Sequence, residues 1–312
     1  MKNNTKADDN SRKILIIGAN GFLGTNLLRF QRNNEQYKQK FNLVAASLKN
    51  TNIEQGVPFY HIDITKYRDT MDKVLEISPD ILILTAAITN VDRCEINKKF
   101  ATKVNTDGAK NIIKACERIN AKLVFMSTDF VFNGTKTEGL YRENDVPNPL
   151  NHYGKTKYNT ELLLSNSEID YLICRTAVLY GWNKPKSNFI TWILNKLQQN
   201  ETISIVSDQI NSPTFVRNLA EILLKLIEKD AAGTYHTAGD CALNRYEMAL
   251  KCAEAFNYND SLIKQIESLK QKALRPKNAG LDVSKLKGLI GSELKVYNLD
   301  EGLKYMKKQR NF

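Results

Sequence analysis

The sequence predicts an α/β protein, a doubly wound parallel sheet joined to a smaller C-terminal α/β lobe. Three observations carry this. A short apolar run at 13–17 enters Gly18-Ala-Asn-Gly21-Phe-Leu-Gly24 and then a helical pattern. Five more apolar runs of strand length follow, at 42–47, 57–60, 81–85, 123–127 and 171–175, with helical stretches between them. That alternation builds βαβ units and hence a parallel sheet. Past residue 177 the rhythm loosens into shorter pieces, which sets the lobe apart. The organisation expected is a disordered lead-in at 1–12, a sheet domain at 13–177 to which 208–238 returns, and a lobe made of 178–207 and 239–312.

Composition excludes several classes. The 312 residues are 42% hydrophobic and 25% charged, the balance of a chain that buries a large core. No run approaches the roughly 18 apolar residues of a membrane span, and the polar start has no signal-peptide core. Cys94, Cys116, Cys174, Cys241 and Cys252 are scattered and odd in number, which suits reduced thiols in a cytoplasmic protein. His61, His152 and His236 are equally dispersed, so no metal site is expected. The net charge is +11, with much of the excess past Ser261. The basic residues there are spread out and lack interleaved aromatics, so a solvated basic surface ranks first, attraction of phosphorylated small molecules second and nucleic acid last.

The first strand, at 13–17, ends in glycines at the first, fourth and seventh positions. They allow a tight strand-to-helix turn and leave no Cβ between backbone and ligand. The helix beginning there offers free N–H groups and a favourable dipole to a pyrophosphate. Strand, glycines and helix within the first 30 residues form the context of a dinucleotide site, with Gly18, Gly21 and Gly24 at its turn. The second strand, at 42–47, runs into Ser47-Leu-Lys49-Asn. An NAD site usually has an acid here for the ribose 2′-hydroxyl. Serine and lysine suit a 2′-phosphate instead, so NADP(H) is preferred and NAD(H) remains admissible. After the third strand, at 57–60, Asp63 is placed to cap the next helix or to accept from the adenine amino group, two roles that are compatible. The fourth, at 81–85, is followed by small residues, Ala86-Ala87-Ile88-Thr89, that let a ribose approach the backbone. A long helical region at 94–119 is broken near Asn105-Thr-Asp-Gly108.

The fifth strand, at 123–127, places Ser127, Thr128 and Asp129 at the carboxyl edge of the sheet, where open α/β folds bind ligands. A loop rich in Gly and Pro leads to a helix opening Asn151-His-Tyr153-Gly-Lys-Thr-Lys157. Tyr153 and Lys157 are four apart and share a helix face. A lysine ammonium beside a phenol favours the phenolate, so Lys157 is expected to lower the Tyr153 pKa and make it a usable acid or base. Thr128 then offers a hydroxyl to the same reacting oxygen. Beyond the sixth strand, at 171–175, helices are expected at 188–197, 215–228, 246–256 and from 299, with strands at 203–206 and 234–237.

Taken together, these motifs resemble the extended short-chain dehydrogenase/reductases, most nearly the dTDP-4-dehydrorhamnose reductases and their sugar-nucleotide-binding relatives. The resemblance runs from Ile14 to about Leu303. It rests on Gly18-x-x-Gly21-x-x-Gly24, Ala86-Ala87-x-Thr89-x-Val91-Asp92, Ser127-Thr128-Asp129-Phe130-Val131-Phe132, Tyr153-Gly-x-x-Lys157, Arg175-Thr176, Asp208-Gln209-x-x-x-Pro213-Thr214 and Arg275-Pro276. It implies a Rossmann domain carrying a substrate-binding lobe. Gly18, Asn20, Gly21, Phe22, Leu23 and Gly24 would hold the pyrophosphate, Asp63 and Ile64 the adenine, and Thr85, Ala86 and Ala87 the ribose side. Tyr153 would donate a proton, Lys157 would hold the nicotinamide ribose, and Thr128 with Asp129 would orient the sugar C4 oxygen. Thr89, Val178, Asn188, Phe189, Gln209, Thr214 and Arg275 fall where the family meets its nucleotide-sugar, with Arg275 on a loop from which its fork reaches a diphosphate.

The implied reaction is NAD(P)H-dependent reduction of the C4 ketone of a nucleotide-linked 4-keto-6-deoxy sugar, without nucleic acid or membrane partners and compatible with a homodimer. Two alternatives share the fold. One is a nucleotide-sugar epimerase or dehydratase; dehydratases put Glu directly after the Thr-Asp pair, where this chain has Phe130. The other is a non-catalytic NADP-binding regulatory subunit like that of methionine adenosyltransferase. Phe130 and Val178 stand where the family often has tyrosine and tryptophan, and the loop after Lys277 reads Asn-Ala-Gly-Leu. These departures bear on which sugar is bound.

Overall fold

The computed structural model describes residues 11–51, 53, 55–183 and 186–310. Most of the lead-in expected at 1–12 therefore lies outside the described residues. Arg12 does not belong to a lead-in, because it already opens the first strand: its guanidinium bonds the Ile227 carbonyl at 2.8 Å and pairs with Asp230.

Seven parallel strands form the main sheet. They are β1 (Arg12–Ile17), β2 (Phe41–Ser47), β3 (Phe59–His61), β4 (Ile81–Leu84), β5 (Lys122–Thr128), β6 (Tyr171–Thr176) and β7 (Gly233–His236). Their spatial order is β7-β6-β5-β4-β1-β2-β3, so the order reverses between β1 and β4. A doubly wound sheet opens a crevice at that reversal, outside the carboxyl ends of its strands.

The sheet is covered on both faces, as the apolar character of its strands predicts. Alternation along β1 divides the core: Ile14 and Ile16 face one side, Leu15 and Ile17 the other. The first side packs on α1 (Phe22–Arg32) and α9 (Val216–Glu228), through Leu27, Leu28, Leu219 and Leu223. The second packs on α3 (Tyr67–Ile77), α6 (Gly108–Ile119) and α7 (His152–Ser165), through Val74, Ile112, Ile113 and Leu164. A helix the sequence did not suggest, α2 (Glu35–Lys40), precedes β2; it is polar but for buried Tyr37.

A third core forms away from the sheet. Helices α8 (Phe189–Gln198), α10 (Arg245–Phe256) and α12 (Leu299–Arg310) pack with the parallel pair Ile203–Val206 and Ile263–Ile266 around Ile193, Leu197, Met248, Cys252 and Leu303. Short helix α11 (Ser284–Ile290) lies against β7, packed into the first core. Among the described residues, no helix is long and apolar enough to cross a membrane.

The break expected near Asn105 is instead a change of helical pitch. After α4 (Val91–Ile96) and α5 (Lys98–Thr102), residues Lys103–Asp107 form a π-helical turn that runs straight into α6. Such turns are rare insertions within α-helices and are frequent at functional sites. Here it buries Asn105, whose amide bonds both backbone groups of Ile88, at 2.8 and 3.0 Å, and the Thr156 hydroxyl at 3.1 Å. One side chain thereby pins the loop after β4 to α7.

Candidate active site

One cavity of about 900 Å3 occupies the crevice. Its walls bring together Asn20, Gly21, Phe22, Leu23, Lys49, Thr85, Ala87, Thr89, Thr128, Asp129, Tyr153, Lys157 and Val178 from the sites anticipated in the sequence.

The glycine turn shapes one end. A Cβ on Gly18 would come within 2.6 Å of the Ala86 nitrogen, and one on Gly24 within 2.5 Å of the Gly18 carbonyl. These two glycines let β1, β4 and α1 meet, while Gly21 faces the cavity. Gly21 also begins α1 with no side-chain cap and no acidic residue in the first turn. The N-terminal N–H groups of an 11-residue helix are thus left for a ligand. The residues fit a dinucleotide's pyrophosphate.

Behind this end, Thr85 donates to the carbonyls of Ile17 and Gly18 at 2.9 and 3.1 Å, and Ala86 hydrogen-bonds Ile17 through its backbone. Lys49 lines the cavity, but Ser47 does not: it is buried and its hydroxyl donates to the Lys49 carbonyl at 2.7 Å. Asn20 donates to the same carbonyl at 3.2 Å. Ser47 and Asn20 therefore hold the loop that presents Lys49. Asp63 and Ile64 also stand off the cavity wall. Asp63 does not cap α3, whose N-cap is Lys66; it accepts instead from the Thr65 amide and hydroxyl at 3.0 and 2.7 Å. Burial opposes its ionisation, but those two bonds leave its pKa below the usual carboxylate value. Ile64 is a core residue of the second face.

The centre of the cavity is built by the edge of β5 and the start of α7. Thr128 ends β5, and its hydroxyl donates to Asp129 at 3.0 Å while accepting from the Phe130 amide at 3.2 Å. Asn151 caps α7 by accepting from the Gly154 amide at 2.9 Å. A Cβ on Gly154 would sit 2.2 Å from the Phe130 carbonyl, so glycine is what lets α7 dock on the strand edge. That contact carries Tyr153 to Thr128 and sets its ring edge-on to Phe130, with centroids 6.3 Å apart.

Protonation here departs from the expectation. The Tyr153 pKa is raised, not lowered. Burial opposes the phenolate and the neighbouring Asp129 charge adds to this, against a smaller effect of the Thr128 hydroxyl. Lys157 does not offset it, since its ammonium donates to the Met126 carbonyl at 2.8 Å and lies 4.7 Å from the Phe125 ring centre. Burial pulls Lys157 itself down to about 8. Asp129 accepts a 2.7 Å bond from Asn211, yet burial pushes its carboxyl up to about 6. The arrangement keeps a proton on Tyr153, an acid ready to give it up only when a strong base forms beside it.

At the far end the anticipated residues divide. Val178 lines the cavity with φ of 43°, a left-handed conformation that is strained for a β-branched residue. Asn188 is the N-cap of α8 and donates to the Gly181 carbonyl at 2.7 Å. Phe189 lies behind the cavity wall as a platform for Arg245, whose guanidinium carbon stands 4.6 Å from its ring centre. Gln209 bonds Gln271 at 3.0 Å, and Thr214 is buried, donating to the Ser212 carbonyl at 3.1 Å. Arg275 does not face the cavity. It bonds Asp92 at 3.1 Å and the Ala273 carbonyl at 2.8 Å, so its fork is engaged within the protein. Two wall cations, Arg245 and Lys186, went unsuggested by the sequence reading. The only signal for Arg245 was the Asn244-x-x-Glu247 capping box that makes it the first residue of α10.

A family model described as the RmlD substrate binding domain matches residues 12–309. A probable low-salt glycan biosynthesis reductase of Haloferax volcanii is 30% identical over 281 residues, 88% of this chain and 91% of its own. The methionine adenosyltransferase 2 subunit beta of Bos taurus is 32% identical over 289 residues, 89% of this chain and 83% of its own. Among solved structures, the dTDP-4-dehydrorhamnose reductase of Bacillus anthracis in complex with NADP is similar with a TM-score of 0.83 at 31% identity. That match covers 96% of this chain and 99% of the other. The family match and a shared fold over nearly the whole length place this chain, with its glycine turn and its Thr128, Tyr153 and Lys157, in the RmlD substrate-binding domain family of extended short-chain dehydrogenase/reductases.

Proposed function

We propose that this protein reduces the C4 ketone of a nucleotide-linked 4-keto-6-deoxy sugar, using NADPH in preference to NADH. The observation that carries this reading is the meeting of Thr128, Tyr153 and Lys157 in one cavity with the uncapped start of α1. The cofactor, when bound, supplies a hydride to the carbonyl carbon. The chain's own groups do the rest. Gly21 and the first turn of α1 receive the pyrophosphate, and Lys49 faces the end where a 2′-phosphate would sit. Thr128 turns its hydroxyl from Asp129 to the ketone oxygen and polarises it. As negative charge grows there, Tyr153 transfers its phenolic proton to the forming alkoxide, whose basicity exceeds that of a phenolate. Lys157, its ammonium on the Met126 carbonyl, lines the same cavity and would hold the nicotinamide ribose. Val178 and Phe130 close the cavity around the sugar.

A second reading has a specific observation behind it, the likeness to a methionine adenosyltransferase beta subunit. In that case the chain binds its cofactor and serves a partner enzyme without turning over a sugar. The complete Thr128–Tyr153–Lys157 set favours catalysis. One assay separates the two: purified protein with NADPH and dTDP- or UDP-linked 4-keto-6-deoxy sugars, followed by loss of reduced-nicotinamide absorbance. Sugar-dependent oxidation is the expected result. Tight NADPH binding with no oxidation by any of these substrates would overturn the reductase reading.

A further inference from the structure

Arginine presents five N–H donors and does not lose its charge, so the partners of each buried or half-buried guanidinium identify its task. Among the described residues, Arg175, Arg275 and Arg245 are arginines of this kind near the carboxyl edge of the sheet. Arg175 is buried and bonds Glu161 at 3.0 and 2.7 Å. Arg275 is held by Asp92 and the Ala273 carbonyl. Arg245 differs from both. It lines the cavity and is partly buried. Among the described residues, it has the Phe189 ring beneath it and the charges of Asp129 and Arg275 near it, but no hydrogen bond to its guanidinium.

Its position is held firmly by the backbone. Residue 245 opens α10 behind a reciprocal cap, in which the Asn244 amide donates to Glu247 at 2.8 Å and the Glu247 amide to Asn244 at 2.9 Å. The strand just before it, Leu243–Asn244, pairs antiparallel with Ile210–Asn211. Asn211 in turn donates to Asp129 at 2.7 Å. The guanidinium is therefore carried on a frame tied to the residue beside Thr128, and an aromatic face beneath it limits its movement.

We propose that Arg245 is the residue that holds the substrate's anionic group, the diphosphate linking nucleotide and sugar, and that Arg275 is not. The inference rests on the nucleotide-sugar reading above and deepens it. A planar fork with free N–H groups at the wall of a partly desolvated cavity matches phosphate oxygens in geometry as well as charge. Arg275 is instead drawn off the cavity by Asp92 and the Ala273 carbonyl, and Asp92 is itself fixed by the Ala273 amide at 3.0 Å. Lys186 lines the same cavity and adds to its positive field.

The test compares wild type with Arg245→Gln, Arg245→Lys and Arg275→Gln. Three quantities are measured: KM and kcat for the sugar substrate, inhibition by dTDP and UDP with thymidine as the phosphate-free control, and direct NADPH affinity. Arg245→Gln is expected to raise KM and the dTDP inhibition constant by about ten- to a hundredfold, the loss of one charge-assisted contact, with a smaller change in kcat. Arg245→Lys should recover part of the loss, and NADPH affinity should stay at the wild-type value, which also certifies the fold. Arg275→Gln should affect dTDP less than Arg245→Gln does. Unchanged dTDP inhibition in Arg245→Gln, or an effect on thymidine equal to that on dTDP, would overturn the assignment while leaving the reductase reading intact. Wild-type protein that binds NADPH but neither dTDP nor UDP would overturn both.

Discussion

Asp129 offers the sharpest quantitative test of the site. Its carboxyl is buried beside Thr128, and its pKa stands at about 6 against an ordinary 3.8. A shift of about 2 units corresponds to roughly 3 kcal/mol between the two protonation states. The sign follows from linkage: the folded state holds its proton more tightly than the unfolded chain does. This stabilises the fold fully below pH 3.8 and is lost as pH rises through about 6. Replacing Asp129 by asparagine removes the titration. Between pH 4.5 and 7.0 the wild type should therefore lose about 2 kcal/mol of stability relative to Asp129→Asn, beyond any constant offset from altered hydrogen bonds. Other titrating groups cancel in the difference. Urea unfolding of both proteins at pH steps through this window measures it, at constant ionic strength. A difference independent of pH would refute the reasoning, because it would mean that the Asn211 bond and the Arg245 charge offset burial completely.

Three further outcomes are expected. Tyr153→Phe should lower turnover by about 10²- to 10⁴-fold with NADPH affinity unchanged, since the lost hydroxyl serves the substrate; full reductase activity would exclude Tyr153 as proton donor. Lys49→Glu should cut the NADPH-over-NADH preference by about ten- to a hundredfold in binding titrations, and an unaltered ratio would show that the 2′-phosphate sits elsewhere. Glu161→Gln leaves the buried Arg175 cation without its counter-charge and should cost about 3–5 kcal/mol in urea unfolding; a cost below about 1 kcal/mol would mean that the Glu143 carbonyl and Phe132 ring suffice for Arg175.

The strands were legible because they are buried on both faces and so read as continuous apolar runs. β3 was the least so: it was expected at 57–60 but runs Phe59–His61, because Pro58 offers only its carbonyl, which accepts from Ala45. Helix α2 escaped notice because Glu-Gln-Tyr-Lys-Gln-Lys buries a single side chain and shows no stripe. The π-helical turn read as a break because Asn-Thr-Asp-Gly is a poor helical sequence, and only the packed structure reveals what the Asn105 amide holds. The Tyr153 pKa departs from the expectation for a related reason. Spacing reveals that Tyr153 and Lys157 share a face, but not that both are buried or that the ammonium points to Met126. Nor can spacing tell a committed arginine from a free one. Arg275 finds Asp92 from the far end of the chain, whereas among the described residues Arg245 has a ring beneath it and no hydrogen bond to its guanidinium.

The tight seat of α7 against the Phe130 carbonyl separates two kinds of change. The height of the Tyr153 phenol above the sheet is set by main chain meeting main chain, with Gly154 as a mechanical stop. The side chains of Val178 and Phe130 also line the cavity, but they take no part in that main-chain contact. A chain built this way can change which sugar it accepts by trading wall residues, while the alignment of its proton donor is inherited intact. Libraries that vary residues 130 and 178 should therefore yield altered substrate ranges, whereas variation at 154 should yield inactive proteins whatever the sugar.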